Sequence, residues 1–82
     1  SVRVLERFPP KYIHIKANQA EDEIKNTAQT FSLLHQLQAK IIANNTSYDL
    51  IIGPISDQTQ YEELLADLAV DGYLVKPYQN SK

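Results

Sequence analysis

The residues of this chain that could take part in chemistry are two histidines, five tyrosines, ten carboxylates and eight lysines and arginines, with no cysteine, methionine or tryptophan. His14 and His35 carry no nearby carboxylate pattern of the kind that holds a metal ion. No Ser-His-Asp arrangement falls in a strained turn, and no thiol is available as a nucleophile. With only two glycines, Gly53 and Gly72, the chain has no glycine-rich loop to cradle a phosphate. The residues argue against an enzyme, a metal site or a cofactor. They argue for a binding module.

Charge narrows the partner. Eight basic residues against ten acidic ones give a formal net charge of −2, and the basic ones are scattered in sequence: Arg3, Arg7, Lys11, Lys16, Lys25, Lys40, Lys76 and Lys82. Nucleic-acid binders draw much of their affinity from concentrated positive charge, so nucleic acid is not the expected partner. No apolar run approaches the ~20 residues that span a bilayer, so no membrane insertion by this domain is expected. The absence of cysteine fits reducing and oxidising compartments equally. The sequence does not begin with methionine and reads as one domain cut from a longer protein, monomeric when isolated.

Those side chains need a scaffold, which hydrophobic periodicity supplies. Pro9-Pro10 ends whatever precedes it, so 1–10 reads as an arm or linker; Val2, Val4 and Phe8 could instead make an added edge strand. Tyr12 to Lys16 alternates as a half-buried strand should, with Ile13 and Ile15 on the core side and Tyr12, His14 and Lys16 on the other. Asn18 and Glu21 have capping-box spacing, and Ile24, Ala28, Phe31, Leu34 and Leu37 form one apolar stripe, predicting a helix from about Gln19 to Gln38. Ala39 to Ala43 and Tyr48 to Ile55 read as two strands of a hairpin around Asn44-Asn45-Thr46-Ser47. In the second of these, Leu50 and Ile52 lie opposite Asp49 and Ile51, and Gly53-Pro54 is expected to break the ladder.

Ser56 or Asp57 caps a second helix with the stripe Tyr61, Leu64, Leu65 and Leu68, stopped at Asp71-Gly72. Tyr73 to Lys76 is the last strand, closed by Pro77, and 80–82 reads as a frayed tail. The order strand, helix, strand, strand, helix, strand predicts an α+β, ferredoxin-like βαββαβ domain over 11–79. It has a four-stranded antiparallel sheet with two helices on one face. The other face is where a ligand would bind.

On that open face the candidates are Tyr12, His14, Lys16, Asp49, Ile51 and Leu74. His14 is either a hydrogen-bonding group for a ligand or a solvated strand histidine. Lys16 and Asp49, on neighbouring strands, either neutralise each other or meet a ligand. Ile51 and Leu74, with Tyr12, suggest an apolar platform for a sugar ring or a peptide, unless the Val2–Phe8 arm folds over them. Tyr61 and Tyr73 read as core or helix-edge residues, His35 as structural or solvated, and Tyr48 and Tyr78 as either core or surface. Acylphosphatases share the topology but need an arginine in a phosphate loop, and both arginines here precede the domain. RNA-recognition motifs display central-strand aromatics where this chain has Asp49 and Ile51.

The stretch Tyr48-Asp49-Leu50-Ile51-Ile52-Gly53-Pro54-Ile55 resembles the third strand of SPOR (sporulation-related repeat) domains. The helix carrying Leu64, Leu65 and Leu68, followed by Asp71-Gly72-Tyr73, is similar to the family's ending, and the likeness covers about Tyr12 to Tyr78. The resemblance implies the same fold and binding of septal peptidoglycan glycan strands, stripped of stem peptides, on the open sheet face. It also implies a periplasmic or outer-envelope location and attachment to division, wall-remodelling or lipoprotein modules. Where the family's first strand often reads Val-Gln-Val-Gly-Ser-Phe, this chain has Ile13-His14-Ile15-Lys16-Ala17-Asn18, and Asp49 replaces a common arginine. The first helix also reads longer than the family's. These departures keep a second reading open, a protein-interaction module in an envelope assembly such as secretion, pilus or division machinery. A more distant reading is an ACT-like sensor, which would work as a dimer.

Overall fold

The computed structural model describes residues 9–78. The arm and tail expectations for 1–8 and 79–82 lie outside these. The elements run β1 (Lys11–Gln19), α1 (Glu21–His35), β2 (Ala39–Asn44), β3 (Ser47–Ile55), α2 (Gln58–Val70) and β4 (Leu74–Tyr78). The four strands form one antiparallel sheet in the order β2-β3-β1-β4. Both helices pack on one of its faces, so the domain is ferredoxin-like α+β, as the element order predicts.

Period-two alternation sets which residues meet the helices. Ile13, Ile15, Leu50, Ile52 and Ile55 are at most 1% exposed and pack against Ile24, Ala28 and Phe31 of α1 and Leu64 and Leu68 of α2. Tyr48, Tyr61, Leu65, Tyr73 and Val75 border this core, half-buried. Removing such apolar surface from water is the main driving force available to a domain without disulfides.

The helices differ from expectation in their ends. Ala20, not Asn18, stands at the start of α1; an alanine side chain cannot accept, and the Ala20 N–H donates to Glu23 Oε1 at 3.4 Å. The helix stops at His35 because Gln36 takes the left-handed conformation (φ 56°), its N–H donating to the Ser32 carbonyl. Leu34 leaves the stripe and is 70% exposed. On a 100° wheel Ile24, Ala28, Phe31 and His35 align, whereas Leu34 points about 90° away. His35 takes the inward place instead, stacked on the Phe31 ring at 5.7 Å between centroids. Leu37, beyond the helix, still reaches the core. In α2 Asp57 is the cap, its Oδ1 accepting from the Thr59 N–H at 3.1 Å. Gly72 (φ 85°) then turns the chain into β4.

In two strands the ladder continues past a proline that was expected to break or close it. β3 continues through Gly53-Pro54, so that Ile55 pairs with Lys11 across a register shift, and the Gly53 N–H donates to the Gln38 carbonyl at 3.1 Å. Gly53 has φ 148° and no room for a side chain: a Cβ there would lie 2.7 Å from Tyr12 Cδ2 and 2.8 Å from the Lys11 carbonyl. β4 contains Pro77 rather than ending before it, which an edge strand tolerates.

Candidate functional site on the open sheet face

Register fixes what the open face displays. Because Ile13 and Ile15 point to the helices, Tyr12, His14 and Lys16 point away from them, and cross-strand partners share a face. Across the four strands, Lys40, Ile51, His14 and Lys76 form one row. Beside it, Ile42 lies opposite Asp49, and Lys16 opposite Leu74. At the other side Tyr12 pairs with Tyr78. All six residues proposed from the sequence therefore lie on this face, but not in the roles expected.

Asp49 is the main departure. Its side chain is wholly buried and is consumed by internal bonds rather than offered to a ligand. Oδ1 accepts from the Asn18 backbone N–H at 3.0 Å; Oδ2 accepts from His14 Nε2 at 3.0 Å and from Asn44 Nδ2 at 3.0 Å. Burial pushes the carboxyl up. The Asn18 amide, the His14 and Asn44 bonds and the His14 ring's charge together outweigh that, and hold it below the ordinary aspartate value of 3.8.

The sequence pointed to Lys16 as the partner of Asp49, and the structure corrects this. Between Ile15 and Gln19 β1 bulges against β3, with Asn18 in the left-handed region (φ 52°), which aims the Asn18 N–H at Asp49. His14, diagonal to Asp49 in the ladder, supplies the remaining strand donor. So His14 is neither a free ligand group nor a solvated strand residue: only 16% of its side chain is exposed. The cluster ties β1, β3 and the end of β2 together, and among the described residues no buried side-chain nitrogen or oxygen is left without a partner.

Ile51 is also corrected. It faces away from the helices and stands outside the core cluster, yet it is 5% exposed and offers no platform. Leu74 is 69% exposed, at the edge strand and opposite Lys16. The two do not form the apolar patch that the sequence suggested. Instead, a groove of about 250 Å³ runs beside Ile51, lined by Tyr12, Gln38, Lys40, Ile42, Gly53 and Tyr78. Tyr12 and Tyr78 meet edge to face at 6.2 Å between centroids, and Tyr78 also stands edge-on to His14 at 6.5 Å.

Sequence reasoning missed Tyr78, Lys40 and Ile42 as groove residues. Tyr78 lies beyond the proline that was expected to close β4, and the period-two faces of β2 could have flagged the other two. Among the described residues, no group of three or more histidine, cysteine or acidic side chains could hold a metal ion. Nor is any described helix long and apolar enough to cross a membrane. No family model, curated protein or solved structure matches this chain.

Proposed function

We propose that the chain is a non-catalytic binding module of a bacterial cell-envelope protein that holds peptidoglycan glycan strands on its open sheet face, in the manner of the SPOR domains it resembles. The observation that carries this reading is the groove beside Ile51, floored by a sheet and edged by the Tyr12–Tyr78 pair. A tyrosine ring covers the apolar face of a sugar by dispersion and surface burial, while its hydroxyl hydrogen-bonds. Gln38 and Lys40 line the same groove and can serve sugar hydroxyls and amides. The Asp49 cluster supports the reading indirectly, by fixing the strands beneath the groove rather than by touching ligand.

The test is retention on purified sacculi, with and without amidase treatment to strip stem peptides. Retention that rises after stripping, and falls at least ten-fold in Tyr12→Ala or Tyr78→Ala (roughly 1.4 kcal/mol), is the expected result. No retention under either condition refutes it. A second reading, docking to an envelope protein, has one observation in its favour: Leu33 and Leu34, adjacent on α1, are 73% and 70% exposed. It predicts that Leu33→Ser and Leu34→Ser abolish partner capture while leaving sacculus retention untouched.

A further inference from the structure

We infer that the open sheet face selects a negatively charged ligand, so that the glycan it holds is one bearing free carboxylates. This deepens the glycan-binding reading and rests on it for the word glycan, but its basis is separate: the distribution of charge. Every described carboxylate except Asp49 sits on the two helices or at their ends, on the far side of the sheet: Glu21, Asp22, Glu23, Asp57, Glu62, Glu63, Asp67 and Asp71. The open face carries Lys16, Lys40 and Lys76. Its one acid among the described residues, Asp49, is buried and engaged by His14, Asn18 and Asn44, so it presents no carboxylate oxygen to a ligand. Among the described residues the binding face is thus positive and the back negative, a separation that the net charge of −2 does not reveal.

The geometry suits an extended ligand. Lys40 on β2 and Lys76 on β4 occupy one row, three strand spacings or about 14 Å apart. Lys16 lies diagonal to Lys76, about 7 Å away in backbone terms. The aromatic groove adjoins Lys40. A polymer that crosses the strands would meet a cation at each end of the row and a ring pair beside it. Lysine ammonium groups on flexible stems meet carboxylates as point charges, without the planar matching that arginine would impose. Hydrolysing the amide that carries a stem peptide leaves a carboxylate on the glycan, so stripped strands have the required chemistry. Single-stranded nucleic acid fits less well: the centre of the face holds His14 and Ile51, with aromatic rings at one side only.

The experiment titrates the chain with an oligogalacturonate, with neutral chitohexaose and with oligo(dT), at low salt and at roughly 1 M salt, where screening acts within about 3 Å. Binding of the oligogalacturonate at least ten-fold tighter than chitohexaose, lost at high salt and weakened about five-fold by each of Lys16→Gln, Lys40→Gln and Lys76→Gln, supports the inference. Equal affinity for the acidic and neutral sugars, or lysine variants that bind unchanged, overturns it while leaving the glycan reading intact. Oligogalacturonate binding without retention on stripped sacculi upholds charge selection and sinks the peptidoglycan reading. Tightest binding to oligo(dT) overturns the inference, as does binding of none of the three. Unfolding curves of the lysine variants, expected to match the parent, separate lost binding from lost folding.

Discussion

Replacing Asp49 tests whether the cluster beneath the open face is structural. Its carboxylate accepts three hydrogen bonds at 3.0 Å and is wholly buried. A hydrogen bond to a charged group is worth about 1.5–3 kcal/mol, which would give several kcal/mol for the set. His14 and Asn44 are themselves part-exposed and can turn to water once released, so the low end applies to both. Asp49→Ala should therefore cost about 3–4 kcal/mol, and Asp49→Asn about 1–2 kcal/mol, since an amide oxygen still takes the Asn18 N–H while its NH₂ opposes that of Asn44.

The pH dependence carries a sign that a mere packing defect would not. The Asp49 pKa is lowered in the folded state, so its contribution is fully present above the unfolded value of 3.8 and is lost as pH falls through the folded value. Urea unfolding of the parent and of Asp49→Asn, run from pH 7 to pH 2, should show a gap that is present at neutrality and closes below about pH 4. A gap that persists undiminished at pH 2, or no gap at neutrality, would refute the reasoning.

Two further perturbations probe the frame. Gly53→Ala meets both a left-handed φ and a Cβ position already taken by Tyr12 and the Lys11 carbonyl. A loss of about 2–3 kcal/mol is expected, lowering the melting temperature of so small a domain by roughly 10–20 °C; an unchanged melt would show that the strand can shift freely there. Leu64→Ala and Leu34→Ala should diverge sharply. The first opens a cavity at a 1% exposed position and should cost about 2–5 kcal/mol; the second, at 70% exposure, should stay within about 0.5 kcal/mol. Comparable losses in chemical denaturation would restore Leu34 to the core stripe and contradict the observed end of α1.

The order of elements, the helical side of the sheet and the limits of α2 were legible in the sequence, whereas both ends of α1 were not. Alternation placed Ile13, Ile15, Leu50 and Ile52 inward and Tyr12, His14 and Lys16 outward, as observed. Asp57 and Gly72 marked the limits of α2 through side-chain and backbone chemistry that acts within a few residues. These are short-range properties, set by neighbours along the chain. The tertiary structure alone decided the rest. A bulge after Ile15 gave Asp49 to Asn18 and His14 instead of Lys16, joining residues 31 and 35 positions apart. The strand order gathered Lys16, Lys40 and Lys76, scattered in the sequence, onto one surface and left every described carboxylate except the buried Asp49 on the other side. Net charge is a sum and cannot show such a separation; only the pairing of distant strands determines where each charge faces.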